Sequence, residues 1–215
     1  MKKSKSDINH AMPQESLSKN GKMFLHLVYE YRCLASAGYA YKTLGDSPNK
    51  PIGAIGAVLP EADRIIQDSI HLHSRLLVDF FTLRKDDRHK DDFNIEDFGC
   101  NLIERKDLKM IKKCIEIYSL HLTVNRNTVI DDMKVKYPRP NNWFSYNIEI
   151  VNKMLDLLAE TSSKMTNYVY QSAFRRLYEA SEKRLEQGKL YDWPKELEDN
   201  PVVMGKYLYS IECSK

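Results

Sequence analysis

The stretch Pro60–Phe81, PEADRIIQDSIHLHSRLLVDFF, carries the longest apolar helix pattern in the chain and constrains everything else. Ile66, Ser69, Ile70, His73, Leu76, Leu77, Phe80 and Phe81 recur at i, i+3, i+4, i+7 spacing, which puts them on one face at 3.6 residues per turn. A helix with such a face must be covered by others, so the spacing predicts a central helix in a bundle. His73 falls among apolar neighbours on that face, where an imidazole needs a hydrogen-bond partner. Arg64, Asp68, His71, Arg75 and Asp79 fall opposite, a ladder of alternating sign expected in solvent, with Arg75 looking away from His73.

Further helix patterns flank it. Phe24, Leu27, Val28, Tyr31, Leu34 and Ala35 mark a first core helix from Gly21 to near Leu44, stopped by Gly45. Lys106–Leu122 carries two adjacent stripes, Leu108, Ile111, Ile115, Tyr118, Leu122 and Met110, Cys114, Ile117, His121. Trp143–Glu160 places Ile148, Val151, Met154, Leu155 and Leu158 inward. Met165–Gln187 places Tyr168, Val169, Phe174, Leu177 and Tyr178 inward and Arg175, Arg176, Lys183 and Arg184 outward, and Gly188 ends it. No strand pattern or internal repeat competes with these. The expected fold is therefore all-α, a bundle of four to six helices: a flexible arm over 1–20, the bundle over 21–188, and a tail over 189–215 docked on it.

Between the helices lie breakers and charge. The loop Asp46–Gly56 is rich in Pro and Gly but has neither GxxxxGK[ST] nor GxGxxG, so it is no phosphate cradle. After RKDDRHK, Phe93 and Phe98 are expected to pin an acidic loop to the core, and its Asp91, Asp92 and Asp97 are the one place that suggests a divalent ion. The usual role of such a loop is helix capping, and no metal or other cofactor is expected. His121 sits at the last turn of its helix, followed by Thr123, Asn125 and Arg126.

Charge and cysteine content narrow the setting. Lys+Arg 33 against Asp+Glu 30 leaves a net +3, too mild for a nucleic-acid coat without local clustering. Cys33, Cys100, Cys114 and Cys213 form no CxxC pair, which argues against zinc and against a secreted disulfide framework and favours the reduced cytoplasm. No run of about 18 apolar residues and no signal-peptide core occur, so no membrane association is expected.

Three blocks together, His73-Ser-Arg75-Leu-Leu-Val-Asp79-Phe80-Phe81, Asp91-Asp92 with Asp97-Phe98, and His121-Leu-Thr123 with Arg126, resemble a group of uncharacterised bacterial proteins that look like divergent HEPN-type helical domains. That group includes abortive-infection proteins, toxin ribonucleases, and nucleotide-binding or scaffolding modules. The resemblance implies a bundle in which the central helix packs on Lys106–Leu122 and brings His73 and His121 together. Two imidazoles suit metal-independent cleavage of RNA through its own 2′-hydroxyl, with Arg75 or Arg126 on the phosphate and Asp79 and Thr123 in support. Active HEPN members carry an Arg separated from the His by four to six intervening residues; here Glu116, Ile115 and Cys114 hold those places. Arg64 and His71 have the spacing but lie on the wrong helix. Two functions follow as expectations: a ribonuclease of phage-defence or toxin type, or a non-catalytic interaction or regulatory module, antitoxin-like or scaffolding, that binds a protein partner. The resemblance and the wide apolar arc of Lys106–Leu122 also suggest a homodimer.

Overall fold

A computed structural model describes residues 19–45, 62–84, 87, 92–117 and 140–188. Five α-helices and one short 3₁₀ turn stand among the described residues, with no strand: α1 (Lys19–Gly45), α2 (Ala62–Thr82), the turn η1 (Ile95–Phe98), α3 (Lys106–Ile115), α4 (Trp143–Lys164) and α5 (Tyr168–Gln187). The all-α bundle is as the periodicity predicts. None of these helices is long and apolar enough to cross a membrane.

The centre is shared between α1 and α2. α1 packs along α2 and also against α4 and α5, α4 and α5 run back on each other through the short turn at Met165–Asn167, and α3 lies against α2. Phe24, Leu27, Tyr31 and Leu34 of α1 and Ile70, Leu77 and Phe81 of α2 are wholly buried and belong to one core cluster. The Tyr31 hydroxyl, sealed in this core, donates to the Met154 carbonyl at 2.8 Å, which gives it the partner that burial requires.

Small residues and caps set the distances. At Gly38 a methyl group would stand 2.9 Å from Leu185 Cδ1 and 3.0 Å from Val151 Cγ1, so glycine lets α1 approach α4 and α5 closely. Asn142 and Asn167 cap α4 and α5, each accepting from backbone N–H groups of the first turn. Gly188 ends α5 in the left-handed region at φ 62°.

The loop after α2 is held as the sequence suggests. Phe98 is buried and sets its ring 5.3–6.5 Å from those of Phe24, Phe80, Tyr170 and Phe174, while Phe93 lies 5.8 Å from Phe80. Asn94 and Asp97 form a capping box over η1.

Several expectations need correction. His71 is fully buried rather than on a solvated ladder, because the covered face of α2 spans about half its circumference and α4 packs over that side. Leu76, expected in the core, is 43% exposed. Tyr168 is 76% exposed, since α5 begins there and its side chain precedes the packed turns. Arg184 turns inward, with Nε donating to Ser36 Oγ at 2.5 Å and its stem lying between α1 and α5. Met110 is 44% exposed, outside the covered arc of α3.

Candidate functional site

His73 projects from the middle of α2 toward α1, where its Nδ1 lies 2.6 Å from Glu30 Oε2. His73 is 8% exposed, and the Tyr29 ring stands edge-on to its imidazole at 6.1 Å. The sequence places His73 on the core face correctly; the partner it needs is a carboxylate one helix away. Glu30 was not a candidate, although its position beside Leu27, Val28, Tyr31 and Leu34 marks it as an acid at the margin of a core stripe. Beneath His73, Ser74 is fully buried, and its Oγ makes no hydrogen bond among the described residues.

His71 points the other way, into the seam with α4. Its Nε2 lies 2.7 Å from Asn147 Oδ1, with the Trp143 ring 5.5 Å off. Burial lowers the imidazole's pKa below its ordinary 6.5, with the Asn147 hydrogen bond and the Asp68 charge opposing more weakly. The signal for this pair was present as an amide, Asn147, one position from the expected core stripe of α4.

Arg75 and Asp79 both face α3. Arg75 Nε lies 3.7 Å from Glu116 Oε1, and the Asp79 carboxylate accepts from the Lys112 ammonium, while Glu116 also holds Lys113 at 2.7 Å. The ladder is therefore half a set of inter-helix ion pairs, not a free solvated face. It lies around the helix from His73, so no described residue joins Arg75 to that imidazole in one site.

Of the other candidates, His121, Thr123, Arg126 and Asp91 lie outside the described residues. Within Lys106–Leu122 the described residues end at Ile117: α3 covers Lys106–Ile115, and Glu116 and Ile117 continue it as a wider π turn. Of the arc that suggested a homodimer, Leu108, Ile111, Cys114, Ile115 and Ile117 are buried and Met110 is 44% exposed, while Tyr118, His121 and Leu122 lie outside the described residues. In the acidic loop Asp97 receives the Asn94 N–H at 3.0 Å, while Asp92 is exposed. Among the described residues no three His, Cys, Asp or Glu side chains gather as a metal site.

Of the six large apolar side chains exposed among the described residues, three are on α2 and the others, Tyr29, Met110 and Tyr168, stand on three different helices. Ile65, Leu72 and Leu76 stand 58%, 44% and 43% exposed at i, i+7, i+11, one outward line between the α1 side and the α3 side of the helix. Compared with protein-family models, with curated proteins and with solved structures, the chain matches none.

Proposed function

We propose that the chain is a HEPN-like helical module that acts by binding a protein surface and not by catalysis. The observation that carries this reading is the outward apolar line Ile65, Leu72 and Leu76 on the central helix. Three large side chains aligned on one exposed helix face are what a helix-recognising surface needs. His73, by contrast, is inside a seam with its Nδ1 engaged by Glu30, the arrangement of a polar fastener between helices. In cells, the protein's effect should survive His73→Gln and His121→Gln and be lost with Leu72→Asp, each variant checked for its fold by circular dichroism and melting. Cleavage of RNA by the purified protein, abolished by His121→Gln with the fold intact, would overturn the reading.

The second reading, a metal-independent ribonuclease, is favoured by one feature: a carboxylate that fixes an imidazole is also how a general base is oriented. Such an enzyme would use His121 as the complementary acid and Arg126 on the phosphate. It would cut RNA in EDTA, leave a 2′,3′-cyclic phosphate or 3′-phosphate, and spare DNA, which lacks the attacking hydroxyl. No cleavage in EDTA over a range of RNAs would remove it.

A further inference from the structure

We propose that His73 is a phosphoacceptor: its Nε2 takes a phosphoryl group at the edge of the apolar line and so switches off the surface that the line forms. This rests on the interaction-module reading and names its regulation.

The two ring nitrogens of His73 stand in different surroundings. Nδ1 is closed off by Glu30 Oε2 at 2.6 Å. A carboxylate only accepts hydrogen bonds, so Nδ1 carries the proton and the lone pair of the neutral ring is on Nε2. No described residue hydrogen-bonds Nε2, and it is not one of the polar atoms sealed from solvent without a partner, unlike Ser74 Oγ on the next residue. The 10% of the His73 side chain that stays exposed therefore includes this nitrogen. The other described histidines lack the combination. His71 has its Nε2 buried against Asn147, and His26 is exposed with no described carboxylate on its ring.

The rim of the site is the apolar surface itself. Leu72 and Leu76 flank His73 at i−1 and i+3, and Tyr29, 57% exposed, stands on the α1 side, so Nε2 opens between exposed apolar side chains of two helices. A phosphoryl group there adds roughly two negative charges beside Leu72 and Leu76, which opposes burial of the line by an apolar partner. His73→Gln accordingly keeps the protein's effect and removes its control.

The donor is an acyl phosphate or a phosphoramidate. The Nε2 lone pair attacks phosphorus, and the new P–N bond forms as the donor's P–O or P–N bond breaks. The bonding pair leaves with the carboxylate or, from the N-protonated phosphoramidate, with ammonia. The ring gains a positive charge, and Glu30 against Nδ1 offsets it. Glu30 is thus a positioning residue.

Incubation of the full chain with potassium phosphoramidate, followed by peptide mass spectrometry under alkaline conditions that preserve phosphohistidine, tests this. A phosphoryl group should appear on His73 faster than on the exposed His26, and His73→Gln should abolish it with circular dichroism retained. Glu30→Gln should slow His73 by about tenfold, the gap between a charge-assisted and a neutral hydrogen bond, and leave the His26 rate unchanged. Were Glu30 only a fastener, its loss would loosen the seam and speed His73 instead. The labelled chain should be retained less on a phenyl column, as Leu72→Asp is. An unmodified His73, modification of His26 ahead of it, an undiminished rate in Glu30→Gln, or equal retention of the labelled chain would each overturn the proposal. Survival of the cellular effect in Leu72→Asp would remove the interaction-module reading and leave a phosphorylated His73 standing, whereas an inert His73 beside an effect lost in Leu72→Asp would do the reverse.

Discussion

His71 Nε2 and Asn147 Oδ1 lie 2.7 Å apart in a seam with no solvent exposure at either residue. Because burial lowers the His71 pKa, the folded state holds the imidazole neutral while the unfolded chain takes up a proton near 6.5. Its contribution is thus fully present above that value and is lost as pH falls below it, levelling off only under the lowered folded value. The melting temperature should drop between about pH 7 and about pH 5, and His71→Gln, which cannot titrate there, should show a smaller drop from a lower start. Equal drops in both proteins would mean that His71 is not the group responsible.

Glu30 and His73 fasten α1 to α2, and a double-mutant cycle separates fastening from mere adjacency. Glu30→Gln and His73→Gln should each lower unfolding free energy, Glu30→Ala more so, by about 1–3 kcal/mol, because it leaves a buried ring nitrogen unsatisfied. The coupling between the two sites should be about 0.5–3 kcal/mol by urea titration. Additive single losses would show that the 2.6 Å contact contributes nothing of its own.

The helices were legible because covered faces repeat at helical spacing, and α2 appears within two residues of its expected bounds at its N-terminus and one at its C-terminus. His73 was legible for the same reason. What could not be read was the width of the buried arc: His71, Ser74 and Val78 are covered as well as the stripe because helices pack on α2 from more than one side, and no single stripe in the sequence records that. Leu76 fits the stripe by spacing and yet lies outside, since hydrophobicity says that a side chain prefers cover and not that cover exists. Glu30 and Asn147, the partners of the two histidines, are 43 and 76 positions away, and pairing at such separations is a property of tertiary packing. Arg184 was misplaced because its long stem can lie along apolar surface, which charge alone does not reveal.

Gly99 and Gly188 both take left-handed backbone, at φ 78° and 62°, but only one is crowded. A methyl group at Gly99 would meet nothing within 4 Å, whereas at Gly188 it would stand 1.9 Å from Tyr39 Cζ. Gly99→Ala should therefore cost about 1 kcal/mol, the backbone preference alone. Gly188→Ala should cost clearly more, and Gly188→Asn should not recover it although Asn tolerates this backbone. Equal losses in chemical denaturation at the two positions would place Tyr39 away from the cap.

Asn94 does more than cap η1, and its replacement by aspartate can separate its two roles. Its Oδ1 accepts from Glu96 N at 3.0 Å, and its own N–H donates to Asp97 Oδ2 at 3.0 Å, the latter being one half of the capping box with Asp97. Its Nδ2 donates to the Leu83 carbonyl at 2.7 Å, tying the loop back to the residue just past the end of α2. Asn94 is 1% exposed, so water does not replace these bonds easily. Losing a cap costs about 1 kcal/mol, and stranding a buried carbonyl costs about 1–3 kcal/mol. Asn94→Ala should thus lower stability by about 2–4 kcal/mol in urea titration. Aspartate ranks with asparagine as a cap, yet it lacks the donor for Leu83 and would set a carboxylate against that carbonyl and beside Glu96, 3.3 Å from Nδ2. Asn94→Asp should therefore be about as damaging as Asn94→Ala; if aspartate instead restores the native melting temperature, the cap is all that Asn94 provides and the bond to Leu83 is dispensable.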